Sequence, residues 1–433
     1  MIGNKFRCVP AAAALLLVVA CTKTEQVAAP AAPMVVRTDS AGIEIMQITN
    51  LDTTAIETWT IGPQPSTIIG DETRGESHIL QRTLGQVRLS DGRVVIATDQ
   101  NEIREFDSTG TFIKTIARRG HGPGEFSELT ALQRINNDTI LVYERFPASI
   151  TIVSPEGKYI RRSQVARPKT NDAFGAFQFT AAFPDGSLLV NRHPGEYHLP
   201  IGATHVDSVN PLRVDASGTV IADFHKRWDV TRMRILPIGI SNNLPANEHV
   251  SIPHPIQQAA WGRVGNLVYY TTRSRFEIEL WSNNGKLIRI VRMPTEYLAK
   301  SSFDSLIATR VSRNDTTRYD IGKFMPDSMP PISAMSGDLE GNMWVMLEKG
   351  AIKGSARAAL VLDSTGAPLA IAHMPPSGTA AVGSWRLIAG FSPQVFDRNT
   401  LTTAAMDADD RWHVLVFHIH KAPALHATKP RTP

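Results

Sequence analysis

The sequence predicts an all-β fold built from one four-stranded antiparallel unit repeated six times. Two observations carry that expectation. Two classes of tight turn recur along the 433 residues, six copies of each, and one copy stands out of order at the N-terminus.

The first turn class is a polar Asp, Asn or Gly pair followed by an apolar strand. It occurs as Asp91-Gly92 before RVVIAT, Asn137-Asp138 before TILVYE and Asp185-Gly186 before SLLVNR. It returns as Gly265-Asn266 before LVYYTT, Gly341-Asn342 before MWVMLE and Asp409-Asp410 before RWHVLVF. The second class is Asp or Ser, two residues, then Gly. Its copies are FDSTG ending at Gly110, VSPEG at Gly157, VDASG at Gly218, WSNNG at Gly285, LDSTG at Gly366 and TDSAG at Gly42. Glycine takes the positive φ of a tight reversal without a Cβ penalty. The Asp or Ser that opens the turn bonds its own backbone. Between the turns lie short β-rich strands such as RVVIAT and NEIREF.

One unit is therefore strand, turn, strand, link, strand, turn, strand. A repeated four-stranded sheet is the signature of a β-propeller blade. The expectation is a six-bladed β-propeller over residues 37–420 whose last blade is closed by N- and C-terminal strands. The displaced turn at Gly42 suggests which: 402–406 and 411–418 from the C-terminus, 34–38 and 43–48 from the N-terminus. Such sharing leaves no open edge. A seven-bladed ring and a pair of β-sandwiches are the alternatives.

Residues 1–20 read as a secretory leader. Lys5 and Arg7 form a positive start, and Val9–Ala20 is an apolar run too short to span a bilayer comfortably. The run ends in Val-Val-Ala-Cys21, which resembles the bacterial lipobox. That resemblance implies cleavage before Cys21 and acylation of its thiol, hence a lipid anchor rather than a span. Residues 21–36, rich in Ala, Pro and Val, read as a tether. Residues 421–433 read as a disordered tail. Of the two cysteines, Cys8 leaves with the leader and Cys21 would carry lipid, so the mature body is expected to hold no disulfide and no thiolate site. Losing Lys5 and Arg7 lowers the formal net charge from +4 to +2, and no basic run tracks a phosphate backbone. Nucleic acid is not an expected partner.

Four stretches together resemble bacterial six-bladed β-propeller lipoproteins related to NHL-repeat propellers. They are 38–45 TDSAGIEI, 87–96 VRLSDGRVVI, 103–113 IREFDSTGTFI and 120–126 GHGPGEF. The resemblance covers most of 38–420. It departs in 187–215, and the repeats are looser in the later half. It implies a propeller fold and an interaction scaffold, not an activity.

Departures from the blade minimum are where function is sought. Insertions are expected near 191–212, which holds His193, His198 and His205, and near 225–255, which holds His225, His249 and His254. A third, 294–331, begins with Glu296–Arg310, where Leu298, Phe303, Leu306 and Ile307 recur at helical spacing. No two of these histidines have an i, i+4 spacing beside a carboxylate base. His418 and His420 fall on one face of a strand. No metal site is expected among these residues; the one metal left open is oxygen-ligated calcium on the axis. The glycine-rich RRGHGPGEFSEL, residues 118–129, lacks the Gly-Lys-Ser/Thr of a phosphate loop. It reads as the crossing between two blades, with Phe126 packed between them and His121 and Glu125 as candidate ligand contacts.

The expected function is a monomeric, lipid-anchored, extracytoplasmic binding or scaffold module at the cell envelope, with an outer-membrane address as the default. Its ligand would be a protein, peptide or carbohydrate, with no cofactor required. The alternative is a calcium-dependent hydrolase or lactonase-like enzyme with its site in the central channel.

Overall fold

In the computed structural model, the described residues are 34–145, 148–165, 177–192, 204–225, 227–235, 250–295, 298–299, 328–348, 358–373, 386–387 and 395–425. The leader, Cys21 and most of the tether lie outside them.

Five antiparallel four-stranded sheets follow one another along the chain, each joined by the two turn classes. Blade 1 holds Thr83–Arg88, Val94–Thr98, Ile103–Phe106 and Phe112–Arg119. Blade 2 holds Leu129–Arg134, Ile140–Glu144, Ser149–Val153 and Tyr159–Gln164. Blade 3 holds Phe177–Ala182, Leu188–Arg192, Thr204–Val214 and Val220–Asp223. Blade 4 holds Ala260–Val264, Leu267–Thr271, Glu277–Ser282 and Leu287–Arg292. Blade 5 holds Ile332–Gly337, Met343–Leu347, Ala358–Leu362 and Pro368–His373. Blade 6 starts with the hairpin Thr400–Met406 and Trp412–Ala422.

The turn chemistry is the expected one. All six glycines of the second class have φ between 77° and 86°. In blade 1, Asp107 Oδ1 accepts from the N–H groups of Thr109 and Thr111, both at 2.9 Å. At the last first-class turn, Asp410 takes the left-handed position at φ 61°.

Among the described residues, six hydrophobic clusters hold the blades together, one at each junction. Blade faces are buried on both sides, so successive strand residues serve opposite neighbours. Val94 and Ile96 pack with Val414 and Val416 of blade 6, while Val95 and Ala97 pack with Leu132 and Ile140 of blade 2. This is why these strands read as unbroken apolar runs rather than alternating ones. Each fully buried Val, Ile or Leu contributes about 1.5–3 kcal/mol. The cluster between blades 6 and 1 closes the ring.

Both chain ends build the last blade, as expected, but with other N-terminal strands. Thr67–Ile69 pairs antiparallel with Val414–Val416, and Glu57–Ile61 pairs with Ile419–Ala422. The hairpin Val35–Ser40 and Ile43–Ile48, expected in blade 6, lies instead on the outer edge of blade 4. There Glu44 to Gln47 run parallel to Arg289 to Arg292. Glu57–Ile61 likewise runs parallel to the outer strand of blade 5. The N-terminal segment is thus a belt across blades 4, 5 and 6. The ion pair of Glu44 with Arg289, at 2.6 Å, holds the hairpin there, and Met46 and Ile48 complete the cluster between blades 4 and 5. The Gly42 turn has the sequence of a blade turn but belongs to this belt.

The expected insertions at 191–212 and 225–255 meet in one sheet extension. The first half of the long third strand of blade 3, Thr204 to Val209, pairs with Arg227–Ile235, which pairs in turn with Val250–Gln258. Of the expected helix, Leu298 and Ala299 are described, and they form a strand paired with Ser328–Met329. A strand partner about 30 residues on overrides the helical spacing there. The rest of that segment lies outside the described residues.

Candidate functional site: the axial cavity

The first strand of each blade stands nearest the axis, and these strands surround a cavity of about 660 Å³. That volume suits a small ligand or the end of a larger one. Blades 1 to 5 contribute through their first strands. The short strand Val395–Asp397, which folds back on Thr400–Thr402, supplies the sixth side. Phe396 stacks on Trp344 of blade 5 at 4.0 Å and is fully buried, which fixes this segment in the mouth.

The wall is mixed in character. On one side Tyr143 and Phe179 stack at 4.8 Å across blades 2 and 3, and burial pushes the Tyr143 phenol up. Gln133 seals the same junction: its Oε1 accepts from Ala182 N–H at 2.5 Å and its Nε2 donates to Ala182 O at 3.4 Å. On the other side Trp261 and Arg263 share one face of the first strand of blade 4. Blades 4 and 5 meet closely beside them. Tyr269 Oη donates to Met335 O at 3.0 Å, and a Cβ on Gly337 would lie 2.5 Å from Arg263 O.

Among the described residues, two of the three arginines that line the cavity are ion-paired. Arg134 Nε meets Asp138 at 2.6 Å, Arg145 meets Glu128 at 2.6 Å, and at the mouth Arg88 meets Asp397 at 3.1 Å. Asp338 accepts from Trp344 Nε1 at 3.1 Å and from Asn342 N–H at 2.7 Å. Burial, with Asp338 and Asp397 nearby, pushes the neighbouring Glu340 carboxyl up. Arg263 differs. Among the described residues its guanidinium makes one hydrogen bond, Nη1 to Gly265 O at 2.6 Å. Its Nε is buried without a partner, and burial pulls the guanidinium below its ordinary value.

Residues 70–166, which contain all of blades 1 and 2, match a family described as a 6-bladed beta-propeller. The chain is a six-bladed β-propeller. No curated protein matches it. Among solved structures this propeller is similar to a candidate exported protein from Bacteroides fragilis, at 12% identity and a TM-score of 0.46, covering 87% of this chain and 99% of the other. It is also similar to a member of the DUF4221 family from Bacteroides vulgatus, at 11% identity and a TM-score of 0.43, covering 84% and 99%. A third is virginiamycin B lyase from Staphylococcus aureus, at 11% identity and a TM-score of 0.35, covering 82% and 99%.

The residues singled out in the sequence lie elsewhere on the propeller. His121 and Glu125 are exposed in the crossing from blade 1 to blade 2. Glu125 Oε2 accepts from Gly122 N–H at 2.9 Å, so its carboxylate organises its own loop. Phe126 is buried between blades 1 and 2, as expected. Of the three glycines, Gly124 alone has a positive φ, 78°, whereas Gly120 leaves room for the Glu125 carboxylate, which a Cβ would meet at 2.0 Å. His418 and His420 are exposed on one face of the last strand, with Ile419 buried between them. His225 is exposed beside Asp223. His193, His198 and His249 lie outside the described residues, while His205 and His254 fall in the strands of the blade 3 extension. Among the described residues no three His, Cys, Asp or Glu side chains are grouped to hold a metal ion.

Sequence reasoning passed over Arg263. A signal was present: a basic residue shortly precedes the first-class turn in blades 1, 2 and 4, at Arg88, Arg134 and Arg263. Arg134 has its carboxylate four residues on, at Asp138, whereas that of Arg88, Asp397, comes from a loop 309 residues away.

Proposed function

We propose that this propeller is a binding module that takes its ligand in the axial cavity. One observation carries the reading. The cavity is formed jointly by five blades and the 395–397 strand, and its wall combines stacked aromatic rings with a few directed polar groups. That combination serves recognition of a peptide segment or a carbohydrate. The module works at the cell envelope, held by lipid on Cys21. The support for that address is the leader, its small residues before the cysteine and the Ala/Pro tether.

Glycan and peptide arrays probed with the detergent-solubilised full chain test the binding role. The Thr180→Trp variant fills the cavity and is expected to abolish any binding seen with wild type. Retention of that binding in a folded Thr180→Trp protein places the ligand elsewhere and sinks the axial reading. The anchor has its own test: Cys21→Ala is expected to move the protein from the membrane fraction to the soluble one.

A further inference from the structure

One side chain in the cavity wall carries a charge that its surroundings leave uncompensated among the described residues. Buried polar groups are satisfied almost without exception, and a guanidinium cannot shed its charge. Arg134 and Arg145 reach the same cavity, and each has a carboxylate at 2.6 Å. Arg263 is half-buried in the cavity wall, and no carboxylate among the described residues pairs with it.

The guanidinium is tied at one end, and the strand that carries it is packed closely. Nη1 is fixed by Gly265 O in the turn that follows the strand. Gly337 of blade 5 packs against the backbone carbonyl of Arg263 so closely that a Cβ would sit at 2.5 Å, and Tyr269 ties the two blades at Met335. Nε is closed off from solvent, so the Nη groups are what the guanidinium can offer a guest in the cavity. A guanidinium edge with two parallel N–H groups matches the two oxygens of a carboxylate. Trp261, two residues earlier on the same face, supplies a flat apolar surface beside it.

We propose that the axial cavity binds a carboxylate-bearing ligand, with the carboxylate seated on the guanidinium of Arg263 and the body of the ligand against Trp261. This rests on the axial cavity being the binding site and names the chemistry read there. The pairing neutralises a desolvated charge, so the empty site is strained electrostatically and the filled one is not.

Matched pairs of probes test it: glucuronate against glucose, benzoate against benzamide and acetate against acetamide, at constant ionic strength. Isothermal titration and thermal shift are read on the detergent-solubilised full chain. At least one carboxylate is expected to bind tenfold or more tighter than its neutral partner and to raise the melting temperature saturably. Arg263→Gln is expected to erase that preference, and Arg263→Lys to restore part of it. Arg118→Gln, on the outer strand of blade 1, is expected to keep it in full. The proposal is overturned if no carboxylate outbinds its neutral partner in wild type, or if the preference survives in Arg263→Gln. The wild-type comparison decides even if the glutamine variant does not fold. Binding that is abolished by Thr180→Trp but blind to charge would leave the axial site standing and remove only the carboxylate.

Discussion

Arg213 of blade 3 donates through Nη1 to the carbonyl of Asn283 in blade 4, at 3.1 Å and 70 residues away. The same device recurs around the ring. Arg93 Nη1 of blade 1 donates to Pro155 O of blade 2 at 2.9 Å, and Arg74, at the seam, donates to Gly110 O of blade 1 at 3.2 Å. In each case a guanidinium reaches the second-class turn of the following blade. Such turns have outward carbonyls that the blade itself leaves free, and a long planar donor from the neighbour satisfies them.

Arg213→Met should therefore weaken the junction between blades 3 and 4. The substitution removes bonds to Ser187 Oγ at 2.8 Å, Asp185 at 2.5 Å and Asn283 O, and the packing of the guanidinium over Phe183 at 4.7 Å. A loss of about 2–3 kcal/mol is expected from charge-assisted bonds of this kind. Urea denaturation read by tryptophan fluorescence checks it, and an unchanged midpoint would show the lock to be ornamental.

Phe396→Ala should cost about 3–4 kcal/mol, as large-to-small changes at fully buried aromatic positions do. The ring fills the junction of blades 5 and 6 against Trp344. Because the same segment carries Asp397 to Arg88, the cavity mouth should loosen too. Faster amide exchange at Arg88 and Asp397 than in wild type is the specific readout.

Acid should open the seam of the ring before the other junctions. Burial works to raise Asp407, yet the N–H and guanidinium of Arg411 and the ring of His413 outweigh it and hold the carboxyl at about 2. Burial also lowers His413, against the pull of Asp407. Both groups therefore bind protons more readily unfolded than folded, and stability falls with pH. The His413 share is lost as pH drops below about 6.5 and the Asp407 share between about 4 and 2. Asp407→Asn should be less stable than wild type at pH 7 and lose less between pH 4 and 2. A parallel decline of the two proteins over that window would contradict the assignment.

Gly120→Ala should disrupt the crossing between blades 1 and 2 by forcing the Glu125 carboxylate aside, at a cost of about 1–3 kcal/mol. Adding Glu125→Ala removes the clash and should recover most of the loss, so the double mutant lies above the sum of the singles. His121→Ala, exposed in the same loop, should leave the melting temperature within a degree or so.

The repeat was legible because it is written in local chemistry. A positive φ at Gly110 or Gly285, or a side chain that caps its own turn as Asp107 does, is decided within five residues. Glycine, aspartate and serine announce it in the sequence. The doubly buried strands announce themselves the same way, as apolar runs between those turns. The number of blades and the use of both chain ends to close the ring follow from counting such units.

What the turns could not say is which strands meet across the ring. TDSAG forms the same hairpin whether it lies in blade 6 or on the edge of blade 4. The choice was made by Glu44 finding Arg289 and by Met46 and Ile48 filling a cluster some 240 residues away. The candidate site is hidden for the same reason. Arg88, Arg134 and Arg263 look alike before their turns; Arg134 finds Asp138 four residues on, but Arg88 finds Asp397 only in the folded ring. Local backbone preference determined the blades of this protein; tertiary pairing of charge and packing decided where its N-terminal hairpin lies and which arginine faces the cavity with no carboxylate among the described residues.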